Sequence, residues 1–253
     1  MQKRGQVSVF IILGIILLAL GIFILKLQST NETAQLKQNP LSATSIERPA
    51  VEEFVNSCLQ STTKIALHTI ARQGGYYKLP PNSDLGNNVP IYINNSVVYI
   101  PTIEKIEEQI STAITKLLPE CLGEFKTFEK QGIEIHVSTI STKSKLKQDK
   151  VSINLYMPMT ISSATVTEIT DFAINQETGL LGLYHSAISF TQSQAELENE
   201  VCLTCLLELG DIETFYPTIL EIAPNRYLYV LKNDNENLSF MFDHDYNQVT
   251  HPP

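Results

Sequence analysis

The chain lacks the signatures of the commonest enzyme classes. No G-x-x-x-x-G-K-[ST], G-x-G-x-x-G, H-E-x-x-H or G-x-S-x-G occurs in its 253 residues. Without a glycine-rich phosphate cradle, nucleotide-driven chemistry has no seat, and without a nucleophile elbow or a zinc-binding His pair the common hydrolytic routes are missing. Positive charge is also scarce. The 18 Lys+Arg against 27 Asp+Glu leave a net −9, and Lys3, Arg4 and Lys26 stand in a first stretch of 26 residues that has no acid. The remainder carries 18 − 3 = 15 bases against 27 acids, or −12. So acidic a body repels phosphate backbones, which argues against nucleic acid as a partner and against a peripheral grip on anionic lipid. Internal repeats of 20–50 residues and low-complexity tracts are absent as well. Nothing in the sequence implies a cofactor or a bound metal.

What is present is apolar. Hydrophobic residues make up 43% of the chain, with ten Tyr and ten Phe, which is ample for a core. One run is exceptional. Gly5 to Leu25 holds 21 residues without a charge. At about 1.5 Å per residue such a helix spans roughly 31 Å, the hydrocarbon thickness of a bilayer. The apolar stretch of a secretory signal is shorter, about 7–15 residues, and ends at a small-x-small cleavage site, whereas Lys26-Leu27-Gln28 follows here. The expectation is a permanent single-pass anchor through residues 5–25, with Lys3 and Arg4 keeping the N-terminus cytoplasmic and the body outside. Gly14 and Gly21, seven residues apart on one helix face, offer close packing to a second copy.

The residues Lys3-Arg4-Gly5-Gln6-Val7-Ser8 ahead of that run resemble the class III signal of archaeal type IV pilin-like proteins. The resemblance implies cleavage between Gly5 and Gln6 by a prepilin peptidase, leaving the anchor in place. It departs from the pilin pattern at the fifth mature residue, which is Phe10 where pilins often carry Glu for filament assembly. The wider layout, with "QVSVFIILGIILL", "VNSCL" and "RQGGYY", "LPECL", "VCLTCLLELG" and "FMFDHDY", resembles membrane-anchored surface proteins of small-genome archaea. That likeness implies location and paired cysteines, and no activity.

Residues 28–50 are polar, with Pro40 and Pro49, and read as a stalk. Val51, Phe54, Val55, Cys58, Leu59, Ile65, Ala66 and Ile70 predict a helix over Val51–Gln73, stopped by Gly74-Gly75. Asn94-Asn95 between two apolar runs predicts a hairpin. Pro101-Thr102 opens a second helix, and Pro119 starts a new turn. Alternation at 133–137 and 151–156 predicts two strands, with "STKSKLKQDK" as the solvated tip of their hairpin, its lysines an alternative docking patch. A strand near 172–175, a helix over 180–198 and a short helix over 200–209 closed by Gly210 follow. A three-stranded meander over 216–222, 226–231 and 238–242 ends the body. Helices and antiparallel strands without βαβ alternation predict an α+β fold, with one lobe over 51–192 and a second segment over 193–253 packed on it.

Four cysteines, Cys58, Cys121, Cys202 and Cys205, allow three pairings. An exported body favours two disulfides. The preferred pairing is Cys58–Cys121 with Cys202–Cys205, and a crossed arrangement is the alternative. "CLTC" also has the spacing of a thiol oxidoreductase, with Cys202 and Cys205 as the redox pair, although no predicted strand precedes it. A four-thiolate metal site has only one of its two pairs closely spaced. Asp243, His244 and Asp245 adjoin, as a metal or general-base cluster requires, but three neighbours cannot surround an ion and the reading is a solvated strand end. His68 reads as a surface residue. Asn31, Asn94 and Asn237 fit the N-x-[ST] glycosylation pattern on predicted loops. Together these features predict a cell-surface protein with a binding, adhesion or envelope-assembly role. The alternatives are an extracytoplasmic thiol–disulfide oxidoreductase and a minor pilin-like subunit.

Overall fold

Why the apolar spacing yields a helix is plain in the first element, α1 (Thr44–Arg72). Val51, Val55, Leu59, Leu67 and Ile70 recur at helical intervals and are all buried. The structure is a computed structural model that describes residues 44–197, 201–212 and 216–246. The leader Lys3–Gln6, the membrane segment 5–25, Asn31 and the stalk as far as residue 43 lie outside the described residues. Among those described, no helix is long and apolar enough to cross a membrane.

The helix starts seven residues before Val51 and passes through Pro49. A proline so near the start removes only one early hydrogen bond, and an Arg48–Glu52 pair at 2.8 Å bridges the same turn. Ile65 departs from the expected face and is 55% exposed. At the other end the Gly75 amide reaches back to the Ile70 carbonyl at 2.8 Å, and Gly74 has φ +51°.

The chain then forms β1 (Ser83–Asp84), β2 (Val89–Asn94) and β3 (Val97–Val98), the last two joined at Asn95-Ser96, both in the left-handed region. Helix α2 (Ile103–Leu122) is capped by Thr102, whose side chain accepts from the Lys105 amide. It continues past Pro119, where a new turn was expected, because only its last turn loses a bond. A 3₁₀ turn and the short α3 (Lys126–Glu129) lead to β4 (Glu134–Val137), β5 (Ser141–Leu146), β6 (Lys150–Ser162) and β7 (Val166–Glu177). Helices α4 (Leu180–Ala195) and α5 (Leu203–Ile212) precede β8 (Tyr216–Ala223), β9 (Arg226–Asn233) and β10 (Leu238–Asp245). Helix α5 runs through Gly210, where a stop was expected.

The fold is α+β, with two sheets. In the first, β2 lies beside β10 in parallel and the order runs β1-β2-β10-β9-β8, with β3 also on β2. The C-terminal meander therefore shares a sheet with residues 89–98. In the second, all pairs are antiparallel and β6 is central, with β7 along one side and β5 then β4 along the other. Pro158 sits where β6 shifts register between Tyr156 and Met159, a bulge being where an inner strand tolerates a missing amide. Helix α1 packs against α2, β7 and β10, so it touches both sheets.

The stretch expected as a lysine-rich hairpin tip is mostly strand. Thr142, Ser144 and Leu146 point inward from β5, and the lysines alternate outward. Glu107 of α2 covers this strand's free edge. Its carboxylate accepts from the Leu146 amide at 2.8 Å and from Lys145 Nζ at 3.1 Å. Ser111 Oγ takes the Ser144 amide at 2.9 Å, and Thr115 Oγ1 donates to Thr142 Oγ1. The Ser144 and Leu146 edge donors, which have no strand partner on this side, are thus occupied by a helix.

Candidate functional site

The two cysteine pairs occupy different settings. Cys58 joins Cys121, tying α1 to the last turn of α2 across 63 residues of sequence, and Cys58 is only 4% exposed. Cys202 joins Cys205. The local pair is formed by helix geometry: Cys202 immediately precedes α5, in the N-cap position, so the Cys205 amide donates to Cys202 Sγ at 3.2 Å. The Thr204 hydroxyl lies 3.5 Å from the same sulfur. The Cys202 amide donates to Gln194 Oε1 at 2.8 Å, anchoring this turn to the end of α4. A thiolate formed at Cys202 by reduction would face the positive end of a ten-residue helix. Access opposes use of that chemistry, since Cys202 is buried at 8% exposure and Cys205 is half-buried.

The expected solvated end at Asp243-His244-Asp245 is overturned. Asp243 and His244 are both 0% exposed. Strand β10 lies between β2 and β9, and side chains cover both of its faces. On one face, His244 stacks on Phe190 of α4 with ring centres 5.6 Å apart and planes 5° apart. Its Nδ1 lies 2.8 Å from the Tyr246 hydroxyl and its Nε2 3.1 Å from Thr191 Oγ1. Tyr246 in turn meets the Tyr229 hydroxyl at 3.1 Å. Burial holds His244 down at about 3, so the ring is neutral at pH 7. With both nitrogens engaged and no solvent contact, it has no free valence for a substrate proton or an ion.

On the other face Arg226 reaches Asp243 Oδ2 through Nε at 2.7 Å and through its terminal nitrogen at 2.6 Å. That nitrogen also lies 3.3 Å from Asp84 Oδ2, closing β1 onto the sheet. Burial raises Asp243 to about 6, outweighing the pull of Arg226 in the opposite direction. Its second oxygen, Oδ1, is buried without a hydrogen-bond partner among the described residues. Among the described residues no group of three His, Cys, Asp or Glu side chains could hold a metal ion.

The sequons are presented unequally. Asn94 is half-buried, and its amide nitrogen donates to Asn82 Oδ1 at 2.9 Å. Asn237 is exposed, in the left-handed turn between β9 and β10. His68 is exposed on α1. No local pattern marks the contacts that bury the 242–246 stretch, because Phe190 and Thr191 come from α4, Arg226 from β9 and Asp84 from β1, three separate elements. Comparison with protein-family models, with curated proteins and with solved structures returns no match to this chain.

Proposed function

We propose that the chain is an extracytoplasmic binding or assembly body, held at a membrane by its apolar segment 5–25 and braced by two disulfides. The observation that carries this reading is the pairing of all four cysteines, with none free. Persistent disulfides belong to oxidising compartments. The uncharged N-terminal run, the basic residues before it and the strongly acidic remainder support the same orientation. The class III-type leader supports a narrower form, a minor pilin-like subunit cut between Gly5 and Gln6.

The test is protease shaving of intact cells. Fragments from residues 44–246 released into the medium, with the cytoplasm unbreached, are the expected result. Full protection of the body until the cells are lysed would remove the reading.

A second reading has one observation in its favour. The Cys205 amide on Cys202 Sγ is the arrangement that stabilises a thiolate, as a thiol–disulfide oxidoreductase requires. The reduction potential of the 202–205 pair separates the two. A structural bond lies below about −300 mV and a catalytic one well above it.

A further inference from the structure

Lys64, His68 and Arg72 recur every four residues along the C-terminal half of α1 and are all exposed. They stand on one face, over roughly 12 Å of helix axis. Beside this row lies an open cavity of about 550 Å³, into which Ile65 projects from the same helix. Its opposite wall is Asn87 and Asn88 of the β1–β2 turn, with Met241 of β10. Among the described residues no carboxylate lines it. In a chain with 27 acids, the stretch from Phe54 to Ser83 has none. Asp84, which follows, is committed to Arg226, Asn87 and the Gly86 amide. Among the described residues none of the three basic side chains has an ion pair or a hydrogen bond. A cavity on the far side of Lys64 and His68 is different, being lined by Glu177 and Glu236.

Basic residues near a helix C-terminus also complement its dipole, but that effect fades beyond the last turn, and Lys64 stands two turns earlier. We infer that this cavity binds an acidic oligosaccharide, whose anionic groups are met by the row of Lys64, His68 and Arg72. A single compact phosphate is best held by the amides of a helix N-terminus. Here the helix presents its carbonyl end, so the Lys64 and Arg72 side chains supply the charge at two separated points with the His68 imidazole between them as a hydrogen-bonding group, which suits carboxylates or sulfates on separate rings. The amide groups of Asn87 and Asn88 offer partners for hydroxyls, and Ile65 and Met241 offer apolar surface to the C–H face of a ring. The volume falls within the range of small-ligand sites. The inference rests on the extracytoplasmic reading only for the source of the sugar.

The test is isothermal titration of the full-length chain in detergent micelles with trigalacturonate, its methyl ester and inorganic phosphate. Binding of trigalacturonate at least tenfold tighter than either of the others is expected. Lys64→Gln combined with Arg72→Gln should weaken it tenfold or more, while Lys147→Gln, on the exposed β5–β6 turn, should leave it unchanged. Absence of heat with trigalacturonate, equal affinity for the ester, or phosphate binding as tightly would each overturn the inference. So would full binding by a folded double variant. The ester comparison uses the unaltered protein, so the result stands even where the double variant does not fold. It is equally readable whatever protease shaving shows of the protein's location.

Discussion

At the scale of residues, the back-to-back pair Asp243 and His244 sets the acid behaviour of the core. The folded His244 lies at about 3 against an ordinary 6.5, so its contribution to stability is present above pH 6.5 and is lost as pH falls toward 3. Asp243 acts in the opposite sense. Raised from 3.8 to about 6, it contributes stability below pH 3.8 that is lost as pH rises through 6. Between about pH 6 and 4 the two slopes nearly cancel. Replacing His244→Phe removes one of them while keeping the aromatic stack on Phe190. Relative to the parent, the variant should gain about 3 kcal/mol between pH 7 and pH 4, read from urea unfolding at each pH. Parallel profiles would mean that His244 does not stay neutral in the folded state. A second residue is fixed by contact. A Cβ on Gly74 would lie 2.6 Å from Pro90 Cγ and 2.7 Å from the Met241 carbonyl, at φ +51°. The carbonyl is backbone and cannot turn aside, so Gly74→Ala should cost about 2 kcal/mol or more in the same measurement.

Between elements, two seams do most of the joining. The Cys58–Cys121 bond closes a loop of 63 residues between α1 and α2, worth about 4 kcal/mol in the chain-entropy account. The double Cys58→Ala, Cys121→Ala variant should lose about that much, and reductant should then change its unfolding midpoint far less than it changes the parent's. The α2–β5 seam depends on Glu107, whose loss would leave the Leu146 amide buried without its partner. Glu107→Ala is expected to cost about 1–3 kcal/mol, and hydrogen exchange should show the Leu146 amide losing protection. This seam also shows why part of the fold was illegible beforehand. The inward positions of β5 are Thr142, Ser144 and Leu146, two of them polar, so the alternation that marks a half-buried strand was masked by the lysines between them. Where inward positions were apolar, as at Val151, Ile153 and Leu155 or at Ile106, Ile110 and Ile114, period and element agreed. The burial of Asp243 depends on Arg226, 17 positions earlier, and on Asp84, brought in by the parallel β2–β10 pairing that no local pattern encodes. The basic cavity had a readable sign, thirty residues without an acid around Lys64, His68 and Arg72. Its far wall, formed by Asn87, Asn88 and Met241, had none.

At the scale of the whole molecule, the proposed setting is extracytoplasmic. That proposal draws on the two disulfides of the body and on the uncharged 21-residue run in the sequence. In that setting Asn237, exposed on its turn, is the sequon of the described body that a glycosylating host should modify, with Asn94 left bare because its amide nitrogen is bonded to Asn82. Peptide mapping that found the sugar on Asn94 instead would contradict the geometry of β2. The most direct test of the central claim is the intact mass of the chain isolated, unreduced, from its own membrane. The account predicts a mature chain beginning at Gln6, still in the membrane fraction, with all four cysteines paired. A chain recovered with four free thiols would contradict it, because a body kept reduced does not belong outside the cell.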